Sequence, residues 1–368
     1  MLVYSIALTF LKGVGNSLSK KLYINTNGEV EQIWKYSKRE LKKVDGIGEV
    51  LAENIFSQRE EALERAQKEL IFIKKNGVNA YLYTDKQYPY KLTYCNDSPF
   101  LIYTKGNYET GASQRQIAIV GTRNCTAYGK KITQQIIEGL QAYNVNIISG
   151  LAYGIDIAAH TRAMECNMPT IAVVAHGLNT IYPSTHAKYV TQMLDNGGII
   201  TEYPSGTPAD REHFPERNRI VAGMTDATIV IEAGIKGGAL ITAHLAHSYN
   251  REVFAIPGKV GDVSSEGTNN LIKRNIASLA ENANDIVYAM GWENSSIPTN
   301  LPLNLNLFTD FSDTEMQIMQ LLKEKTSLSV DELALQNQLS ISNVLSVLFE
   351  LEMKGCVISL PGKIYTLA

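Results

Sequence analysis

IAIVGTR, residues 117–123, is an apolar run that stops at a glycine and passes by about residue 128 into an amphipathic stretch. The same design returns at NIISG (146–150), TIAVVA (170–175), GIITE (198–202), ATIVIEA (227–233) and EVFAIPG (252–258). Continuous Val/Ile runs separated by helical stretches predict an α/β fold, with a parallel-rich sheet covered on both faces. In such a sheet the ligand crevice lies beyond the carboxyl ends of the strands, so residues just after each run are the candidate site.

Outward from this centre the pattern changes. VNAYLYT (78–84) and PFLIYTK (99–105) read as strands with turn signals between them. Residues 1–75 read as helical and contain an echo: LTFLKGVGNSLSKKLY (8–23) is followed by LKKVDGIGEVLAENIF (41–56). Residues 293–309, rich in Asn, Pro and Ser, read as a linker. The remainder, 310–368, reads as three helices and a hairpin around Pro361-Gly362, a winged-helix pattern. The expected division is therefore 1–75, 76–292, 293–309 and 310–368.

Composition sets bounds. The 368 residues are 45% hydrophobic and 19% charged, which suits a globular chain with a sizeable core. The net charge of -3 means that any nucleic-acid site must gather its basic groups locally. Cys95, Cys125, Cys166 and Cys356 show no metal-ligand spacing and suit a reducing cytoplasm. No apolar run approaches the ~20 residues that span a bilayer, so no membrane partner is expected.

Several strand-to-helix turns carry the chemistry. At Gly121, Thr122 and Arg123 a glycine admits a ligand to the backbone, the next helix start offers N–H groups, and the guanidinium suits phosphate. No GxGxxG is present, so no dinucleotide cofactor is expected. Ser149 and Gly150 open a second such turn, with Asp156 and His160 on the helix beyond. After GLNTIYP (177–183), Lys188 is placed to reach a phosphate and Tyr189 to stack on a base, if this is not an ordinary surface helix. Arg217, Asn218 and Arg219 follow Phe214-Pro215 at a predicted helix start. Residues two apart on a helix point about 200° apart, so one arginine is expected to face the ligand while the other packs or pairs. Gly237 and Gly238, Lys259 and Asn269 complete the edge. Together these turns predict a seat for a polyanion. His244 and His247 have the spacing of a metal pair but no third ligand, so no metal is expected.

The ordered set of motifs closely resembles the DprA (DNA-processing A, or Smf) family. The matching pieces are YPYKL (88–92), GTR (121–123), SGLAYGID (149–156), GLNTIYP, TEYPSG (201–206), FPERNRIVAG (214–223), IEAGIKGGALITA (231–243), IPG (256–258) and GTNNLI (267–272). The resemblance covers roughly residues 70–290. The chain departs from it where the family usually has serine (Gly238), Cys-Asn (Thr268-Asn269) and Gly-Ala (Asn275-Ile276). The resemblance implies a Rossmann-like core that dimerises, binds single-stranded DNA in a basic pocket with little sequence preference, and helps load the recombinase RecA, with no reaction catalysed. The same core more distantly resembles nucleotide phosphoribohydrolases of the lysine-decarboxylase-like family. Their PGGxGT loop is replaced here by IKGGALIT (235–242), without the proline or the Gly-Thr pair.

The flanking segments offer accessory roles. Gly13 and Gly15, then Gly46 and Gly48, look like helix-hairpin-helix turns whose backbone N–H groups meet a DNA phosphate, or tight turns kept for packing. The expected recognition helix of the winged segment, SNVLSVLFELEMK (342–354), carries Glu350 and Glu352 and only Lys354 as a base. Helices that read DNA offer Arg, Lys, Asn or Gln, so a protein-contact or architectural role is favoured over a transcription regulator.

Overall fold

The computed structural model describes residues 2–107, 111, 115–292, 311–360 and 362–367. They form two compact units, Met1–Glu281 and Asn282–Ala368. The linker reading, 293–309, lies outside the described residues.

The first unit is built on a nine-stranded sheet. Its strands are β1 (Asn79–Leu82), β2 (Leu101–Asn107), β3 (Arg115–Val120), β4 (Val145–Ser149), β5 (Thr170–Val173), β6 (Gly197–Thr201), β7 (Ala227–Val230), β8 (Glu252–Ala255) and β9 (Ser278–Leu279). The spatial order is β1-β2-β6-β5-β4-β3-β7-β8-β9. From β6 to β9 every pairing is parallel. The two early strands join the same sheet as an antiparallel extension, β2 pairing with β6. The chain winds outward from β3 through β4 and β5 to β6, then returns to lay β7 on the other side of β3. That reversal places a crevice at the carboxyl ends of β3, β4 and β7.

Both faces are covered, as buried Val/Ile runs require. Alternate residues go to opposite faces: Val173 and Ile200 join one core cluster, whereas Ala172, Val174 and Ile199 join another. The crossover helices are α5 (Ala127–Leu140), α6 (Ile155–Glu165), α7 (Ala187–Met193), α8 (His213–Gly223), α9 (Gly238–Ser248) and α10 (Glu266–Lys273). Pro215 therefore lies in the first turn of α8 rather than at its first position, and the helix begins at His213.

The amino-terminal helices are α1 (Leu2–Phe10), α2 (Asn16–Asn25), α3 (Lys38–Leu41) and α4 (Glu49–Asn76). The sequence echo is a structural one. Gly13 and Gly46 share φ +89°, which favours glycine. Gly15 and Gly48 are the N-caps of α2 and α4 with the same extended backbone. The hairpins pack reciprocally: Leu51 Cδ1 lies 2.9 Å from where a Cβ on Gly13 would sit, and Leu18 Cδ1 lies 3.9 Å from that of Gly46. Their core is continuous with the sheet, since Ile6, Leu8, Leu22 and Ile55 belong to one cluster with Leu82, Phe100, Leu101 and Tyr103.

The second unit contains α11 (Ala283–Ala289), α12 (Asp313–Lys325), α13 (Val330–Asn337) and α14 (Ile341–Met353). The strands β10 (Ser327–Ser329), β11 (Val357–Leu360) and β12 (Ile364–Leu367) form a three-stranded antiparallel sheet in the order β10-β12-β11. Capping boxes Ser312/Glu315 and Ser329/Glu332 fix the starts of α12 and α13. The hairpin β11–β12 is the wing, and α14 has the place of the recognition helix. Among the described residues no helix is long and apolar enough to cross a membrane.

Candidate nucleic-acid interface

A cleft of about 700 Å³ opens at the reversal point of the sheet. Its floor is the end of β3, with Val120, Gly121, Thr122 and Arg123. Gly150 and Asp156 come from the turn after β4 and the start of α6. Arg211, Phe214, Arg217 and Asn218 enter from the start of α8 and the loop before it, and Gly237 and Gly238 form the start of α9.

The two glycine turns interlock. Ile155 N–H donates to the Thr122 carbonyl at 3.2 Å, and Thr122 N–H donates to the Glu232 carbonyl at 2.8 Å. Gly154 has φ +80°, and a Cβ there would lie 2.2 Å from the Thr122 oxygen, so this crossing requires glycine. Glu232, at the end of β7, accepts from the backbone N–H and the hydroxyl of Thr126, the N-cap of α5. Its carboxylate is therefore engaged in holding the loop that carries Arg123.

The cationic groups differ in kind. Arg123 is exposed, makes no ion pair or hydrogen bond among the described residues, and lies with Cζ 5.3 Å from the centre of the Phe214 ring. Arg211 is likewise exposed and without an ion-pair partner among the described residues. Arg217 is only 4% exposed, donates to the Val173 carbonyl, and has no partner for its Nε. It lies over Gly150, where a Cβ would come within 2.1 Å of its Nη1. Burial lowers the Arg217 pKa and raises that of Asp156, while the attraction between the two opposes both shifts. Asp156 also accepts from Ala152 N–H at 3.3 Å. The α9 start has no side-chain cap, and the chain at Gly238 is open to an approaching ligand. Three guanidinium groups and a bare helix N-terminus make the cleft an anion site, while the Asp156 carboxylate is set against Arg217.

The cleft thus brings together Gly121, Thr122, Arg123, Gly150, Arg217, Asn218, Gly237 and Gly238. The other anticipated residues lie elsewhere. Ser149 is fully buried, its hydroxyl donating to the Ile119 carbonyl. Arg219 pairs with Glu202 and donates to the Asp97 carbonyl. Asn269 locks the loop after β8 through two bonds to Gly258 at 3.0 and 3.1 Å, and Lys259 on that loop is exposed. Tyr189 lines an adjoining hollow of about 550 Å³ that shares Arg123 with the main cleft. Lys188 beside it has Nζ 4.8 Å from the centre of the Tyr189 ring.

Arg211, Phe214 and Tyr182 line the cleft without having been singled out as site residues. Their signal was adjacency: Tyr182 lies in GLNTIYP, and Arg211 three residues before FPERNR. At the helical hairpins, Gly15 and Gly48 are open to solvent-sized space. Yet α2 is turned to the core, because Asn16 bonds Glu202 and Phe100 N–H. Several nearby lysines are paired, Lys21 with Asp45 and Lys42 with Glu49.

Behind the cleft, His160 is fully buried on α6. The Thr170 hydroxyl donates to the Ile147 carbonyl, so the His160 Nδ1–H donates to Thr170 at 2.7 Å and Nε2 is left bare. Burial, reinforced by the His186 and Arg217 charges, pushes the His160 pKa down to about 3. The unfolded chain takes up this proton near pH ~6.5 and the folded chain does not. The contribution is therefore complete above the unfolded value and is lost as pH falls from 6.5 towards 3. His160→Gln should flatten the acid limb of a stability–pH curve measured by urea titration. An acid limb of unchanged slope would place the proton uptake at another group.

The fold and the cleft define an open α/β sheet protein with an anion seat at its switch point, joined to a winged-helix unit. Comparison with known proteins narrows the class. The model of the family described as DNA recombination-mediator protein A matches residues 79–291, and that of the DprA winged helix domain matches 309–363. Protein Smf of Synechocystis is 32% identical over 98% of this chain and 98% of its own. DNA processing protein DprA of Streptococcus pneumoniae is 38% identical over 55% of this chain and 71% of its own. The X-ray structure of that streptococcal protein superposes with a TM-score of 0.67, at 30% identity, covering 78% of this chain and 97% of that one. The structure of DNA processing protein A from Helicobacter pylori, described for its single-stranded DNA binding mode, gives 0.51 at 28% identity, covering 57% and 94%. The chain belongs to the DNA recombination-mediator protein A (DprA/Smf) family.

Proposed function

We propose that this protein binds single-stranded DNA along its phosphate backbone in the cleft between β3, β4, α8 and α9, and delivers the strand to the recombinase RecA in the cytoplasm. The observation that carries this reading is the pair of exposed arginines, Arg123 and Arg211, beside an uncapped helix start in a cleft large enough for nucleotides. The relatives' DNA-processing names and the single-strand binding of the Helicobacter pylori protein support it. Guanidinium groups and backbone N–H groups meet phosphate rather than base edges, so binding is tolerant of sequence. The exposed Tyr182, and Tyr189 in the adjoining hollow, offer stacking surfaces that any base can use.

No reaction is assigned. The strand-end carboxylates Glu202 and Glu232 are held by Arg219 and Asn16, and by Thr126, and neither lines the cleft. We read 1–75 as a helix-hairpin-helix segment, 76–292 as the DNA-binding core that pairs into a homodimer, and 310–368 as a winged helix for protein contacts. On α14, Phe349 is 63% exposed and Met353 73%, one turn apart, with Glu350 and Glu352 between them in sequence. That surface suits a protein better than a phosphate backbone.

A labelled oligo-dT titration at two salt concentrations tests the reading. Affinity should fall steeply with salt, with a log–log slope of about -0.7 for each phosphate neutralised. Mixed-sequence strands should bind within a few-fold of oligo-dT, and the recovered strand should be intact. Preference for duplex, or affinity indifferent to salt, would remove the cleft as a single-strand site.

A further inference from the structure

We infer that Glu202, Arg219 and Asn16 are positioning residues through which the amino-terminal helices set the cleft's affinity for single strands; the inference rests on the function proposed above. The helix α8 carries Arg217 and Asn218 into the cleft, and Arg219 leaves by the opposite side. There its guanidinium donates to the Glu202 carboxylate and to the Asp97 carbonyl. Glu202 Oε2 also accepts from Asn16 Nδ2 at 3.1 Å, and Asn16 Oδ1 accepts from Phe100 N–H at 2.9 Å. The other carboxylate oxygen, Oε1, is buried without a partner, so one oxygen holds both α2 and α8. The cluster extends to the second helix of the cleft, since Tyr249, at the end of α9, donates to the Asp97 carboxylate at 2.7 Å. One turn along α2, Lys20 donates to Ser98 Oγ at 2.6 Å. Burial and the Arg219 charge hold its pKa down to about 8.

A second tie runs parallel to the first. Glu69 on α4 accepts from the Ser205 N–H at 3.0 Å and from its hydroxyl. Ser205 lies in the loop that brings Arg211 to the cleft rim. Both parts of that wall, α8 and the 205–211 loop, are thus fastened from outside by the amino-terminal helices. Coupling of this kind is reciprocal: what fixes the wall favours the strand, and a bound strand favours the docked helices.

The test uses the full chain and labelled oligo-dT. Asn16→Ala, Glu202→Gln and Arg219→Gln should each weaken binding about tenfold, the range of mutations that act through a coupled network. None removes a phosphate contact, so each should leave the salt slope at its wild-type value, whereas Arg123→Ala should lower it by about 0.7. The double variant Glu202→Gln/Arg219→Gln should bind no worse than either single variant. Melting curves show which variants are folded, and Asn16→Ala, which leaves the ion pair intact, is the mildest. Wild-type affinity in folded Asn16→Ala and Glu202→Gln would overturn the inference, as would a reduced salt slope in Arg219→Gln, which would make that residue a direct phosphate contact. Wild-type protein that fails to bind oligo-dT would instead overturn the single-strand reading beneath it.

Discussion

Replacing Arg217 by alanine is expected to cost about 3–5 kcal/mol of fold stability, the range for leaving a buried charge without the opposite charge that faces it. The side chain is 4% exposed and donates to the Val173 carbonyl. It is also the nearby positive charge that opposes the desolvation of buried Asp156. Its loss removes the positive charge that faces that carboxylate, over a glycine turn shaped to receive the guanidinium. Arg123→Ala should behave in the opposite way. Arg123 is exposed, and among the described residues its guanidinium lies over the Phe214 ring without a hydrogen bond or ion pair, so melting should be unchanged while single-strand affinity drops by roughly 1.5–3 kcal/mol, the worth of a charge-assisted hydrogen bond. Urea titration beside an oligo-dT titration separates the two effects. An Arg217→Ala protein as stable as wild type would show that Asp156 is neutral or hydrated in the native state. An Arg123→Ala protein with full affinity would move the phosphate seat away from the end of β3.

The sheet was legible because its strands are buried on both faces. A strand such as IAIVG needs no alternation, and the runs that stop at Gly121, Gly150 and Gly234 end where a glycine lets the chain turn toward a helix. The turns at 121–123, 149–154 and 234–238 were legible for the same reason, and topology alone carries them to one edge. What the sequence did not reveal depends on partners distant along the chain. Arg217 and Arg219 look equivalent in FPERNR, and only the position of Glu202 and Asp97 draws one of them away from the cleft. Asn269 belongs by sequence to the ligand edge, but its amide closes on Gly258, eleven residues back. Arg211 and Tyr182 enter from loops, where no periodicity marks a direction. The strands 79–82 and 101–107 were recognised as strands, but pairing with β6 is set by a register that no local pattern encodes.

The largest effect on folding is expected from removing residues 2–75. In sequence they form a separate helical segment, but they complete a core that the sheet cannot close alone. Without them Val78, Leu82, Phe100, Leu101 and Tyr103, each at most 5% exposed, lose the helices that cover them. Exposing a large buried side chain costs about 1.5–3 kcal/mol, so the sum is comparable with the whole stability of a typical domain, about 5–15 kcal/mol. Polar losses add to it. Glu202 and Phe100 N–H lose Asn16, and Ser205 loses Glu69. A chain beginning at residue 76 should therefore show no cooperative melting transition of its first unit, bind a hydrophobic dye, and fail to hold oligo-dT. The carboxyl-terminal unit, whose core of Ile318, Leu322, Leu333, Leu348 and Leu351 is its own, should keep its helical signal in the same sample. Supplying residues 1–75 as a separate polypeptide should restore the transition, since the lost surface is complementary rather than covalently required. A truncated chain that melts cooperatively at the wild-type temperature would show that β1 and β2 can be covered from within the core. The affinity of that chain for oligo-dT would then measure what the amino-terminal helices add to the cleft.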